Sequence, residues 1–298
     1  MPFIYKKSGS RRIFLKKSLK YAGAISSMGF FYHATIGGNK NDDLHLALLA
    51  DTHIKSYKSE QYRGFFPYEN LQKVVGQVNE AAPQLMLING DIARLDGQLG
   101  DYVAIQEILS SIHDLPVVMT LGNHDNRENF YNVFGNEHEG LQTVQNKHVM
   151  VIERSDLQLI LLDSLMYVNK TPGFLGSEQR DWMKRFLALP DERPVFIFFH
   201  HTPFEADSDL LDSGRLFDIL LEHKKVKAVF FGHSHVYNVL EREHIKLINH
   251  PAVGYNFMDS QPVGWIEARI NSRKGDFLLH AVGGNTEADG TSKDIVLI

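Results

Sequence analysis

From residue 44 onward the chain alternates two hydrophobic rhythms. LHLALLA (44–50) is an unbroken apolar run of strand length, whereas ENLQKVVGQVNEAA (69–82) spaces its apolar residues three and four apart, the mark of a helix with one buried face. The exchange then repeats. LMLIN (85–89) reads as a strand, DYVAIQEILSSIHD (101–114) as a helix, and PVVMTL (116–121) as a strand. VMVIE and LQLILLD bring the chain to Asp163, and SEQRDWMKRFLALP (177–190) is helical. PVFIFF (194–199), GRLFDILLEHKK (214–225) and VKAVFF (226–231) continue as strand, helix and strand. Alternating strands and helices predict an α/β fold with a largely parallel sheet. WIEARI and DFLLHAV near the C-terminus suggest a second, mixed sheet. No linker or internal repeat interrupts residues 41–298, which read as one domain.

The residues at the strand ends carry candidate chemistry. The strand-like runs end in Asp51-Thr52-His53, Gly90-Asp91, Gly122-Asn123-His124-Asp125, His200-His201 and Gly232-His233-Ser234-His235. In open α/β sheets ligands sit beyond the carboxyl ends of the strands, so five strands deliver polar side chains to one edge. Asp51, His53, Asp91, Asn123, His200, His233 and His235 make two carboxylates, four imidazoles and one amide. That donor set suits first-row divalent metals, and it exceeds the needs of one tetrahedral ion. The chain has no cysteine, so thiolate sites and disulfides are excluded. Two ions about 3.5–4 Å apart, sharing one carboxylate, satisfy the set; such a pair holds a hydroxide at neutral pH and grips a phosphate oxygen from both sides.

Charge separates the N-terminus from the rest. Of 31 basic residues seven lie in the first twenty positions, where none of the 36 acidic residues falls. The remainder carries 24 basic against 36 acidic residues, a charge of −12. A body so acidic is a poor partner for nucleic acid, which is bound through clustered Lys and Arg. SRRIFLK (10–16) followed by YAGAISSMGFFYHATIGG has the layout of an export signal, and Arg11-Arg12 with Phe14, Leu15 and Lys16 is similar to a twin-arginine (Tat) signal. The competing reading is a basic amphipathic helix lying on a membrane. Residues 1–40 are therefore set apart as export signal and linker. The expected location is the periplasm or cell envelope, reached through the twin-arginine export machinery. No small-x-small cleavage site precedes Asn39, which leaves open an anchor formed by the uncleaved signal.

DTH, GDIAR, GNHDNR, the strand into HH, and GHSH occur in order over roughly residues 44–240 and resemble the calcineurin-like metallophosphoesterase superfamily. GNHD with an Arg two residues on is most similar to its bacterial cyclic-nucleotide and glycerophosphodiester phosphodiesterases. The resemblance implies a four-layer α/β/β/α sandwich of two mixed sheets, with a dinuclear metal site at the strand edge. It implies that Asp51, His53 and His235 bind one ion, that Asn123, His200 and His233 bind the other, and that Asp91 bridges them. The ions would be Mn, Fe or Zn. His124 would face the substrate as proton donor or charge stabiliser, Asp125 would orient His124, and Arg127 would either meet a phosphate oxygen or, as a helix-start residue, be solvated. The family ligand is usually the first His of the pair ahead of a proline. Here Thr202 precedes Pro203, so His201 remains an alternative to His200.

The implied function is hydrolysis of a small phosphodiester or phosphomonoester by a hydroxide held between the ions. The alternative is a non-catalytic scaffold of the same fold, metal-binding or metal-free; the metal-free form predicts lost ligands, and none is lost. Arg stands at position 94, where purple acid phosphatases place a tyrosine. Arg94, Asn126, Tyr255, Asn256 and Phe257 are candidates to line the pocket. His250 is either a pocket neighbour or a structural residue. Asp163 reads as structural, and His45, His113, His138, His148, His223 and His244 as ordinary core or surface residues.

Overall fold

The two rhythms resolve into elements in a computed structural model, which describes residues 33–35, 43–112, 114–135, 144–204 and 206–297. In chain order these are β1 (His33–Thr35), β2 (Leu44–Leu49), α1 (Pro67–Ala81), β3 (Leu85–Asn89), α2 (Leu99–Leu109), β4 (Val117–Thr120) and α3 (Arg127–Phe134). Then come β5 (Met150–Glu153), β6 (Gln158–Leu161), α4 (Ser177–Leu187), β7 (Val195–Phe198), α5 (Ser213–Leu220) and β8 (Val226–Phe231). The chain closes with β9 (Asn238–Arg242), β10 (Ile245–Asn249), β11 (Pro262–Ile270), β12 (Lys274–Gly284) and β13 (Ser292–Val296). The Arg11-Arg12 motif, His113 and His138 lie outside the described residues.

The strands form two mixed sheets. One has the order β1-β5-β6-β7-β8-β10-β9 and the other β13-β12-β11-β2-β3-β4. The parallel strands expected from the sequence are thus divided: β2, β3 and β4 run parallel in the second sheet, and β6, β7 and β8 run parallel in the first. The β11–β12 hairpin joins β2 antiparallel rather than forming a sheet of its own. β1 pairs in parallel with β5 and comes from within residues 1–40, the stretch set apart above as signal and linker.

Alternation along the strands builds the layers. Leu44, Leu46 and Leu48 of β2 meet Phe196, Phe198 and Phe230 of the other sheet in the core between the sheets. Ala47 and Leu49, one residue out of phase, face α1, α2 and α3 with Leu71, Val74, Ile105 and Phe130. On the far side Ile160, Ile197 and Phe231 pack against Trp182, Met183 and Phe217 of α4 and α5. Successive side chains point to opposite faces, so strands covered on both sides must be largely apolar, as β2, β3, β7 and β8 are. The outcome is the expected four-layer α/β/β/α sandwich. Pro67 starts α1 two residues ahead of the predicted helix, since a proline in the first turn forfeits no helical hydrogen bond. β9 and β13 are half-exposed edge strands, which explains why no apolar run announces them.

At one end the sheets are tied together by Asn89, the last residue of β3. Its Nδ2 donates to the carbonyls of Phe199 and Phe230, each at 3.1 Å, and its Oδ1 accepts from Thr120 Oγ1 at 2.8 Å. That seam fixes the carboxyl ends of β3, β4, β7 and β8 around one cleft.

Candidate metal centre

β2, β3 and β8 end on a backbone twist that turns side chains into the cleft. Asp51 (φ 53°), His53 (φ 49°), Asp91 (φ 47°), His233 (φ 71°) and His235 (φ 56°) all occupy the left-handed region. Non-glycine residues seldom adopt it, and such strain concentrates at functional sites. Two glycines of the motifs are explained by their neighbours. A Cβ on Gly122 would overlap Asp91 Oδ1, and a Cβ on Gly232 would overlap Asp51 Oδ2. The strand ends approach so closely that the carboxylates occupy the space of those side chains.

The imidazoles are aimed by their far nitrogens. His200 Nδ1 is 3.0 Å from the Asn89 carbonyl, His235 Nδ1 is 2.6 Å from the Tyr255 carbonyl, and His233 Nε2 is 2.9 Å from the Ser208 carbonyl. A carbonyl can only accept, so each of those nitrogens carries a proton and the other ring nitrogen is the one available to a metal ion. His200 Nε2 reaches to 3.3 Å from Asp91 Oδ2, and His235 Nε2 to 3.4 Å from Asp51 Oδ1. His53 Nε2 lies 3.1 Å from His235 Nε2 and 3.8 Å from both Asp51 Oδ1 and Asp91 Oδ2. The donors form overlapping groups: Asp51, His53 and His235; His53, Asp91 and His124; Asp91, His200 and His233, with the donor atoms of each group within 4.8 Å of one another.

These residues fit divalent metal ions. His200 Nε2 and Asn123 Oδ1 are buried and have no hydrogen-bond partner among the described residues, a costly state that a cation relieves. Burial drives His53 down to about 3 and His233 down to about 4, so both rings are neutral and able to ligate near pH 7. Burial opposes charge on Asp51 and Asp91 as well, yet the facing imidazoles outweigh it: His235 and His200 hold Asp51 at about 2, and His200 holds Asp91 well below the carboxylate range. Burial likewise works against a charged His200, but Asp91 and Asp51 overcome it and raise the ring to about 9. The field that keeps a proton on His200 is one that a cation can satisfy instead.

The remaining letters of GNHDNR have distinct jobs. His124 donates its backbone N–H to Asp91 Oδ1 at 2.8 Å, and its Nδ1 is 2.8 Å from the Leu95 carbonyl, which leaves Nε2 free to face the cleft. Asp125 was expected to orient that ring; the Leu95 carbonyl does so instead. Asp125 is buried and accepts from the backbone N–H groups of Ile92, Ala93 and Gly122 and from Tyr102 Oη. It thereby shapes the two loops that carry Asp91 and His124. Burial, and after it the charge of Asp91, push its carboxyl up to about 6. Asn126 caps α3 by accepting from Asn129 N. Arg127 was expected at a phosphate oxygen; its guanidinium is instead engaged by Asp163, with Nε at 2.6 Å and Nη2 at 2.8 Å, and by the Leu165 carbonyl. A buried carboxylate in a bidentate pair holds a guanidinium more firmly than a transient ligand can.

His201 belongs to none of the donor groups although its ring lies 4.8 Å from that of His233; its Nδ1 is 2.7 Å from Ser164 Oγ, and burial pushes its ring well below the histidine range. Of the HH pair it is His200 that stands beside the carboxylates. His250 is buried against Phe230, and burial pushes it down to about 4. His148 is likewise a core residue, between Tyr131 and the Met119 carbonyl. Sequence reasoning passed over Asn89, Tyr102 and Ser164. Only Asn89, a polar residue closing an apolar strand, carried any local signal.

A four-layer sandwich with a cleft of histidines and aspartates at its strand edge defines a metal-dependent phosphoric ester hydrolase. Residues 44–237 match the family model described as calcineurin-like phosphoesterase, and the chain belongs to that family. It is 27% identical over 220 residues to a 3′,5′-cyclic adenosine monophosphate phosphodiesterase, CpdA, of Pseudomonas aeruginosa, covering 71% of this chain and 77% of that protein. It is 29% identical over 197 residues to a probable glycerophosphodiester phosphodiesterase, GpdQ, of Arcobacter nitrofigilis, covering 63% of this chain and 70% of that one. Its fold is shared with a dimetal phosphatase from Danio rerio, at a TM-score of 0.67 and 15% identity, over 87% of this chain and all of the other. The family is dinuclear, and the cleft has His and Asp groups that could bind the ions.

Proposed function

We propose that the chain hydrolyses a small phosphodiester and works in the cell envelope, to which its basic N-terminal segment directs it through twin-arginine export. Asp51, His53 and His235 would hold one ion, Asn123, His200 and His233 the other, and Asp91 would be shared by both. The observation that carries this reading is the position of Asp91 in two overlapping donor groups, one with His53 and the other with His200 and His233, as a carboxylate shared by two adjacent ions requires. When bound, the ions supply Lewis-acid activation of water and of the phosphoryl oxygens.

The protein's own residues do the rest. Asp91 fixes the mouth of the cleft by accepting the His124 backbone N–H. The Leu95 carbonyl holds the His124 ring so that Nε2 faces the departing alkoxide, where a proton or a positive charge lowers the barrier. Asp125 and Tyr102 keep the loops of Asp91 and His124 in register without touching the substrate. Diesters are favoured over monoesters because the relatives from Pseudomonas and Arcobacter are named as phosphodiesterases.

The test is turnover by the purified full chain, loaded in turn with Mn, Fe and Zn, on cyclic nucleotides, glycerophosphodiesters and phosphomonoesters. Metal-dependent diester hydrolysis is the expected result. Hydrolysis confined to monoesters overturns the diester assignment, and no hydrolysis with any metal favours the scaffold.

A further inference from the structure

We propose that an aromatic wall beside the metal centre, ending in Phe257, stacks the planar base or aryl group of the phosphodiester and so sets substrate preference. The proposal rests on the phosphodiesterase reading above and adds the part of the substrate remote from phosphorus.

The wall starts at the donor groups. Tyr255 stacks on His53 with ring centres 4.8 Å apart and a 29° tilt, and Phe257 lies 4.4 Å from the His235 ring. Tyr62 meets Tyr255 edge-on at 4.6 Å. Tyr255 is buried, but Phe257 leaves 46% of its surface in water. A large exposed aromatic in contact with a candidate ligand adds nothing to the core. Its ring lies beside His235 with the Arg63 guanidinium carbon 5.4 Å over it, and the part left in water is the surface offered to a base next to the candidate metal ligand.

Unusual backbone holds that ring. Tyr62 and Phe65 exchange both backbone hydrogen bonds at 2.9 Å across a two-residue turn. Arg63 (φ 52°) and Gly64 (φ 88°) both lie in the left-handed region, as a turn this tight requires. Asn or Gly is the usual residue at the first position, and here it is arginine. From there Arg63 Nε donates to the Asn256 carbonyl at 3.0 Å and Nη2 to the Phe257 carbonyl at 3.1 Å, while Asn256 Nδ2 donates to the Gln261 carbonyl at 2.6 Å. Arg94 lies 3.8 Å over the Tyr62 ring and pairs with Glu60 at 2.6 Å, which steadies the other end. An exposed ring pinned at its own carbonyl is pre-organised, and pre-organisation is what lets a stacking contact add to affinity. Purines, pyrimidines and nitrophenyl rings all present the required π face, and a glycerol ester does not.

The experiment compares kcat/KM of the metal-loaded full chain for 3′,5′-cyclic AMP and bis(p-nitrophenyl) phosphate with that for glycerophosphoethanolamine. Phe257→Leu keeps apolar bulk and removes the π face. It should lower the preference ratio for the ring-bearing diesters about tenfold, mainly through KM, and Arg63→Ala should lower it in the same direction by loosening the wall. An unchanged ratio in Phe257→Leu overturns the proposal, whether because all substrates suffer alike or because none does. Calorimetric binding of adenosine 5′-monophosphate to wild type and Phe257→Leu reads the wall without turnover. About tenfold weaker binding in the variant supports stacking and equal binding refutes it, even if the chain proves to hydrolyse no diester.

Discussion

Arg127 and Asp163 join the two sheets beneath the cleft. Asp163, at the end of the strand run of β6, accepts from Arg127 Nε at 2.6 Å and Nη2 at 2.8 Å, and Arg127 opens α3 just after the loop that follows β4 in the other sheet. Asp163 also accepts from the backbone N–H groups of His148 and Leu165. The pair sets where the loop bearing Asn123 and His124 stands against the opposite strand ends.

Breaking this pair should destabilise the fold. Arg127→Ala leaves a fully buried carboxylate without its paired guanidinium, a change that typically costs about 3–5 kcal/mol, and the lower end applies because the Arg127 side chain is 25% exposed and the Lys147 charge remains nearby. Urea unfolding should show a lower midpoint with an unchanged slope. Burial would raise the Asp163 carboxyl, but Arg127 and Lys147 prevail and hold it below its ordinary 3.8. Its contribution is therefore complete above about pH 4 and is lost as pH falls further through the folded-state value. The wild-type midpoint should drop in that window more steeply than the midpoint of Arg127→Ala.

Asp91→Asn removes the shared carboxylate charge at unchanged size. Metal content should fall below two ions per chain and turnover should fall by several orders of magnitude, with the circular-dichroism spectrum retained. Near wild-type turnover would sink the assignment of Asp91 between two ions.

His124→Ala should behave differently, because His124 is assigned to the leaving oxygen. Both ions should stay, by elemental analysis, while turnover slows by roughly 10²–10⁴-fold. The loss should shrink for nitrophenolate esters, whose leaving group needs no proton. Equal losses for good and poor leaving groups point to charge stabilisation instead.

A single methyl group should disturb the centre where the strand ends crowd together. In Gly122→Ala the new Cβ collides with Asp91 Oδ1 and the Asp91 backbone nitrogen, so Asp91 must move and metal affinity should fall markedly. Gly214→Ala, in α5 with nothing within 4 Å of the new atom, is the control and should bind metal as wild type does.

Twin-arginine export, proposed above for this chain, carries folded proteins, so on that proposal metal would be loaded before the chain meets competing ions outside. A site of nitrogen and oxygen donors holds Cu²⁺ and Zn²⁺ more tightly than Mn²⁺ or Fe²⁺, and folding around the ions would trap the weaker binders. We expect Mn or Fe in at least one site of protein taken from the envelope fraction. Arg11-Arg12 replaced by Lys-Lys should strand active protein in the cytoplasm. Zinc in both sites, or unimpaired export of the variant, refutes the respective half.

Most of the elements, though not β1, β9 or β13, and the edge on which the chemistry gathers, were legible along the chain. β2, β3, β7 and β8 are apolar at nearly every position because both faces are covered, and polar residues can then follow only where the strand stops. Hence Asp51, Asp91, His200 and His233 announce themselves in a linear reading. What the side chains beyond them touch became visible only in three dimensions. Arg127 looked free for a phosphate until a strand of the other sheet brought Asp163 to it, 36 residues on. Asp125 looked like the partner of its neighbour His124, yet adjacent residues on a turn point apart, and its hydrogen bonds go to backbone 32 and 33 residues earlier. The division of the parallel strands between two sheets, and the seam at Asn89, are equally invisible along the chain. Periodicity records which faces are buried, a local property, whereas partners across a sheet or between sheets depend on how the faces are brought together.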